Sequence, residues 1–261
     1  MPVRRSSPAV LLVPLDLDEE TLYGFYAEVD SQLDEKPAEL VLDCSLLEHV
    51  ASAHINTLWQ ARSRCEEAGV NIRLTSVTYG LERVLKVLDL NDFFRTERDG
   101  VEARESHRRS GPVAGAALPL ALDIPATVDG IVSGMNHLHA YLGGCAFGEM
   151  FVFDVETVFY EVATNIRLHG DLGNGERIHF TASCGNGVFR LRFEDGGPRF
   201  DPTTAVVNFD PGIAVRNKHR HGFGLVIIRK LVDRISYERS ENGLNILNLE
   251  KSIGGNGGCF G

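Results

Sequence analysis

No two cysteines stand close together in this 261-residue chain: Cys44, Cys65, Cys145, Cys184 and Cys259 are odd in number and widely spaced. That excludes a dense disulfide framework and a paired-cysteine metal knuckle, and it fits a reducing compartment. Cys44 ends an apolar run and Cys65 falls in a helical pattern, so both read as small core residues. Basic side chains are in the minority, with 26 Lys and Arg against 36 Asp and Glu. The resulting net charge of -10 argues against a general phosphate-backbone binder, so no direct nucleic-acid partner is expected. Long apolar runs are missing too. No segment approaches the roughly 20 residues of a membrane span. In the opening MPVRRSSPAVLLVPLDLDEE, Pro14 and the acids up to Glu20 leave too short an apolar stretch for a signal peptide. The expectation is a cytoplasmic protein that does not contact a membrane.

What the chain does contain is enough length for two domains, each with its own core. Residues 9–15 form a short apolar run, and residues 18–33 carry Leu22, Phe25, Tyr26, Val29 and Leu33 at helical spacing. A second strand is expected at 39–44 and a helix at 53–68, stopped by Gly69. A third strand at 71–75 and a short helix at 79–88 complete a βαβαβα order, which implies an α/β fold with largely parallel pairing. Residues 96–117 turn charged and then small, with no apolar period, and read as a linker. The expected organisation is one domain over 1–95, that linker, a second domain over 118–251 and a glycine-rich tail over 252–261.

The second domain opens with a strand at 118–124 and a helix at 126–142, and its centre is the stretch DVETVFYEVATNIRLHG, residues 154–170. Val155, Val158, Phe159, Val162 and Ile166 make a stripe that a sheet can cover. Glu161, Asn165 and His169 recur at i, i+4, i+8 along a neighbouring face. A carboxylate one turn from an amide suits a site where one group takes a proton and the other ligates a hard cation. The bland alternative is a solvated polar edge. Strands at 177–183 and 187–193 pair as a hairpin around Cys184, Gly185 and Asn186, and the second runs into EDGGPRFDP. Asp195 followed by Gly196 and Gly197 lets backbone approach a flat ligand while the carboxylate accepts from an exocyclic amine. A basic cluster over 216–221 precedes Gly222, Phe223 and Gly224 at the start of another helix, an arrangement that faces backbone N–H groups toward an anion. Strands at 235–237 and 244–249 close the domain.

Two resemblances add to this. The run ELVLDCSLLEHVASAHINTLWQARSRCEEAGVNIRLTSVTYGLERVLKVLDLNDFF is similar to the STAS domain of sulphate transporters and anti-sigma factor antagonists. Phosphorylatable members carry Asp-Ser-Ser-Gly where this chain has Ala51, Ser52, Ala53 and His54, so Ser52 is the candidate phosphoacceptor. Ser52 also stands where the cap of the following helix is expected, which is its plain structural role. His54 puts a large side chain where a glycine lets a partner approach.

Glu161 with Asn165, Asp195 with Gly197, and Gly222 with Gly224 follow the order and spacing of the three ATP-binding boxes of the GHKL superfamily. YEVATNIRLHG, EDGGPRFDP and HGFGLVIIRKLVD resemble its anti-sigma factor serine kinases. This implies a GHKL α/β sandwich of mixed sheet and helices, with ATP and Mg²⁺ as ligands. Carried over by position, Glu161 is the catalytic base and Asn165 the magnesium ligand. Asp195 reads the adenine amine, Gly197 leaves room for the base, and Gly222, Phe223, Gly224 and Leu225 offer backbone to the phosphates. His169 and Gly170 shape the floor, and 203–221 is the ATP lid. Arg199 stands where the histidine-kinase form has a glycine. His137 and His139 lack the acidic neighbour of a phosphoacceptor histidine, so a histidine kinase is not expected. The resemblance implies a serine/threonine-protein kinase of the partner-switching type, with an anti-sigma factor antagonist and a sigma factor as partners and a homodimer as a further expectation. An ATP-binding docking protein without phosphotransfer and a STAS-regulated ATPase are the rivals. The altered loop around Ser52 favours a separate antagonist protein as substrate.

Overall fold

The structure is a computed structural model and describes residues 7–15, 17–47, 50–96, 118–145, 147–170, 175–205 and 223–253. Two compact units are present. In the first, β1 (Ala9–Leu12), β2 (Glu39–Asp43), β3 (Asn71–Thr75) and β4 (Arg95–Thr96) form a parallel sheet in the order β1-β2-β3-β4. The helices are α1 (Glu19–Asp34), α2 (Ser52–Ala68) and α3 (Tyr79–Val87). Each has a local reason to start or stop. Asp18 accepts the Thr21 N–H at 2.8 Å to open α1, Thr78 Oγ1 accepts from Leu81 N at 3.2 Å to open α3, and Gly69 ends α2 at φ +68°. Leu40, Leu42, Leu58, Leu74 and Leu81 are fully buried between the layers. The Cys44 and Cys65 thiols sit in that core, and burial pushes them up to about 12 and about 11, which keeps them protonated and inert. The two-residue β4, inside the segment that follows α3, has no period of its own in the sequence.

The start of α2 corrects one expectation. The cap is Ala51, and Ser52 is already the first helical residue, so Ser52 does not supply the capping oxygen. Alanine has no acceptor either. His54 takes over: its Nδ1 accepts the Ala51 N–H at 3.0 Å, which leaves the proton on Nε2 to be donated to Leu15 O at 3.2 Å. The ring is 3% exposed, so it points into the unit rather than standing where a partner would approach. Burial pulls its pKa below the usual histidine value, partly offset by the Leu15 carbonyl that accepts from the ring.

In the second unit β5 (Leu120–Pro125), β6 (Arg177–Gly185), β7 (Val188–Asp195), β8 (Arg234–Arg239) and β9 (Asn245–Ser252) form an antiparallel sheet in the order β5-β6-β7-β9-β8. The helices are α4 (Val128–Gly144), α5 (Glu149–His169) and α6 (Phe223–Leu231). Alternation decides the faces. Ile178, Phe180 and Ala182 of β6 and Phe189, Leu191 and Phe193 of β7 are buried, while Arg190 is exposed and Thr181, Ser183 and Arg192 are only partly covered. The expected stripe of α5 is buried at Val155, Val158, Phe159 and Val162, with Phe159 packed edge-on to Phe180 at 4.8 Å, while Ile166 at its C-terminal end is half-buried. Its helix begins five residues before the expected Asp154, because Phe151 belongs to an aromatic group with Phe147 and Phe189. The hairpin turn lies later than expected, at Asn186 (φ 54°) and Gly187 (φ 73°), the positive-φ pair that a two-residue type I′ loop requires. Lys251 Nζ meets the buried Asp154 at 3.0 Å and also donates to Leu231 O, the last residue of α6, at 2.7 Å. None of the described helices is long and apolar enough to cross a membrane. The expected linker and most of the expected lid and tail lie outside the described residues.

Candidate functional site

The C-terminal half of α5, the start of α6, the segment after β7 and the strands β8 and β9 border an open cleft. Val162 and Ile166 of α5, Leu225 and Ile228 of α6, and Ile235 and Leu247 of the sheet give it apolar walls. These are the inward faces of amphipathic elements that no described element covers at this end, so the same pattern that builds the core also leaves the cleft.

Of the residues singled out from the sequence, Asn165, His169, Gly170, Asp195 and Leu225 line the cleft. Glu161 does not: it is 1% exposed, one turn deeper along α5. Phe223 and Gly224 are buried in the first turn of α6 without lining the cleft, and Gly222 lies outside the described residues. Arg199 is exposed. Ser52 belongs to the other unit. His139 pairs with the buried Glu156 at 2.6 Å and His137 bonds its own helix at Ser133 O, so both serve α4.

Asp195, at the end of β7, is 8% exposed. Its Oδ1 accepts from Gly197 N at 2.9 Å and from Asn245 Nδ2 at 2.8 Å. Among the described residues Oδ2 has no donor, and the residue lines the cleft. Gly197 is demanded by what lies behind it: a Cβ there would stand 2.5 Å from Gly170 O and 2.9 Å from Asp195 Oδ1. The glycine therefore seats the turn after β7 against the end of α5. Gly197 itself is not among the residues that line the cleft.

The sequence reading missed four polar residues. Asn245 is 6% exposed and pairs with Asp195 in the β7–β9 register. Tyr237 Oη donates to its Oδ1 at 2.8 Å, and Arg239 Nη1 to the same atom at 2.6 Å. Arg229 of α6 gives Nη2 to the carbonyls of Pro202 (2.7 Å), Thr203 (3.3 Å) and Ala205 (2.8 Å), holding residues 202–205 against the helix. An asparagine leading an alternating strand was visible in the sequence, but nothing local to it names a partner 50 positions away.

The site can hold a flat ring between apolar walls with one carboxylate oxygen to accept a ring amine. Asn165 offers one amide oxygen to a hard cation. No cluster of three or more His, Cys, Asp or Glu able to hold a metal exists among the described residues. Magnesium commonly takes one or two protein oxygens and completes its shell with phosphates and water, so the residues present fit a nucleotide-borne cation and not a freestanding metal centre.

Residues 3–96 match the family profile described as Mlab, STAS domain, and residues 124–251 match that of the histidine kinase-like ATPase domain. No curated protein matches the chain. Among solved structures, the SiaB–SiaC complex from Pseudomonas aeruginosa is 18% identical over 50% of this chain and 88% of that one, with a TM-score of 0.41. The RsbU and RsbW domains of a Mycobacterium tuberculosis protein are 17% identical over 52% of this chain and 32% of that one, at 0.38. The Acinetobacter baumannii histidine kinase AdeS is 12% identical over 90% and 97%, at 0.35.

Proposed function

This chain is a STAS domain joined to a GHKL-type, histidine kinase-like ATPase domain, and from that premise we propose that it is an ATP-dependent serine/threonine-protein kinase of the partner-switching type. The ATPase domain implies ATP binding. The observation that carries the reading is Asp195, with one oxygen saturated by the protein and the other left for the cleft, facing apolar walls that also bear Asn165. Asp195 would hold the adenine amine, the apolar walls the ring, and Asn165 a magnesium ion. Bound ATP supplies the phosphoryl group. Glu161 takes the proton of the attacking serine hydroxyl as its oxygen bonds to phosphorus and the bond to ADP breaks, leaving a phosphoserine and ADP. The substrate we infer is a separate anti-sigma factor antagonist with the intact Asp-Ser-Ser-Gly loop, and the outcome of transfer is a change of partner, a sigma factor among them.

One observation favours a second reading, an ATP-binding docking protein without phosphotransfer: Glu161 is 1% exposed and is no part of the cleft wall. Incubation with γ-labelled ATP and a STAS-type antagonist separates the two. The kinase reading expects label on the antagonist, ATP binding preserved in Glu161→Gln, and transfer in that variant lowered by roughly 10² to 10⁴, the worth of a general base. Asn165→Ala should remove most of the thermal stabilisation by Mg-ATP, which is about 2.7 kcal/mol at a hundredfold excess over Kd. ATP binding with no label on any protein would establish the docking reading, label appearing only as free phosphate the ATPase, and label on Ser52 a self-contained switch.

A further inference from the structure

We propose that Asn245, held in place by Tyr237 and Arg239, is a positioning residue for Asp195 and sets the selectivity of the cleft for 6-aminopurine over 6-oxopurine nucleotides. This rests on the nucleotide reading above. The amide of Asn245 is fixed from both ends. Its Oδ1 receives two donors, Tyr237 Oη at 2.8 Å and Arg239 Nη1 at 2.6 Å. Its Nδ2 faces three acceptors, Asp195 Oδ1 at 2.8 Å, Pro198 O at 3.0 Å and Gly197 O at 3.3 Å. Turning the amide over would set oxygen against three acceptors and nitrogen against two donors, so only one orientation is viable. Arg239 Nη1 also donates to Gly197 O at 2.8 Å, tying the turn to the same cation.

The consequence falls on Asp195. With Nδ2 of Asn245 and N of Gly197 both on Oδ1, the carboxylate cannot rotate without abandoning two hydrogen bonds in a buried place. Oδ2 is thereby held as a pure acceptor toward the cleft. An acceptor at a fixed point rewards a base edge that presents N–H and opposes one that presents a carbonyl, because two lone pairs then meet where water is excluded. If the carboxylate could swing, both edges would be tolerated. Arg239 and Tyr237 come from β8 while Asn245 and Asp195 come from β9 and β7, so three neighbouring strands determine one oxygen.

The test compares ATP with inosine triphosphate, which differs at the 6-position, using displacement of a fluorescent nucleotide from the full chain. Asn245→Asp keeps the size and replaces the donor facing Asp195 by an acceptor. Arg239→Met removes the cation and keeps the stem. Both are expected to weaken ATP by about 10- to 100-fold while the inosine affinity moves by less than about threefold, so that the preference collapses. Arg239→Gln, which retains a donor, recovers part of it. If Asn245→Asp does not fold, Tyr237→Phe is read instead, and it lowers the preference by about threefold or more. Equal weakening of both nucleotides, or an unchanged preference, overturns the proposal and leaves ATP binding standing. A wild-type chain that binds neither nucleotide overturns the nucleotide reading and this proposal with it.

Discussion

Gly197 and Gly196 are neighbours in one turn, yet alanine at each should behave oppositely. A Cβ on Gly197 would lie 2.5 Å from Gly170 O, 3.0 Å from Gly170 Cα and 2.9 Å from Asp195 Oδ1, and the first two are backbone that no rotamer change can move. An ordinary contact needs about 3.5 Å or more, so the turn and the end of α5 must part by on the order of 1 Å. Overpacking of that kind costs about 1 to 3 kcal/mol. The same displacement pulls Gly197 N from Asp195 Oδ1, now at 2.9 Å, and Gly197 O from Arg239, now at 2.8 Å. Gly197→Ala should therefore lower Tm by several degrees and weaken Mg-ATP by about 10- to 100-fold, equivalent to about 1.4 to 2.8 kcal/mol. A Cβ on Gly196 meets only Glu176 Oε2, at 3.8 Å, and its φ is not positive. Gly196→Ala should leave affinity unchanged and raise stability by a few tenths of a kcal/mol, through the restricted unfolded chain. Titration calorimetry and thermal melts on both variants decide the matter. Equal effects in the two, or wild-type affinity in Gly197→Ala, would refute the idea that the glycine seats the turn on Gly170.

Two further outcomes follow from buried polar groups. Lys251→Met should cost about 3 kcal/mol in a denaturant melt, the low end for breaking a buried pair, since Asp154 is 5% exposed and Lys251 keeps 20% of its side chain in solvent; a loss under about 1 kcal/mol would mean the pair is dispensable. His54 has its pKa lowered below 6.5 in the folded unit, so between those two values the unfolded chain binds the extra proton. Stability is whole above about 6.5, drains as pH falls below it and levels off under the folded value. Urea melts followed by Trp59, the chain's single tryptophan and 5% exposed in the same unit, should show this slope between pH 7 and 5, and His54→Gln should flatten it.

Periodicity carried the fold far because both units bury one face per element. β3 has the bounds that its alternation predicts, and α1, α2 and α3 lie within one residue of theirs at each end. Where the reading slipped, a nonlocal contact decided. Phe151 and Phe147 extend α5 backward because Phe189 of β7 waits for them. The cap of α2 passes to Ala51 because His54 reaches back 39 positions to Leu15 and can hold the helix start from inside. The site divides the same way. Asn165, His169, Gly170, Asp195 and Leu225 were legible because short motifs fix their spacing, and all reach the cleft. Asn245, Tyr237 and Arg239 were not, because their meaning comes from a strand pairing that joins the end of the chain to Asp195.

Glu161 is where the two functional readings part, and its surroundings frame the question in chemical terms. Holding a nucleotide asks for the apolar walls, the acceptor at Asp195 and the oxygen of Asn165, and all of these stand at the cleft surface without Glu161. A docking protein would use this carboxylate only as a structural acid, whose desolvation must be offset by its partners inside the unit. A proton acceptor, by contrast, benefits from low exposure, which keeps water from competing as nucleophile. It must still come within hydrogen-bond reach of the hydroxyl it serves, and it sits four residues, about 6 Å of helix rise, from Asn165 along α5. The distance between burial and reach is therefore what substrate binding has to close, so in the kinase reading Glu161→Gln should matter only once the antagonist is present. ATP affinity equal to wild type, with transfer lost, is the pattern that distinguishes a buried base from a buried structural acid.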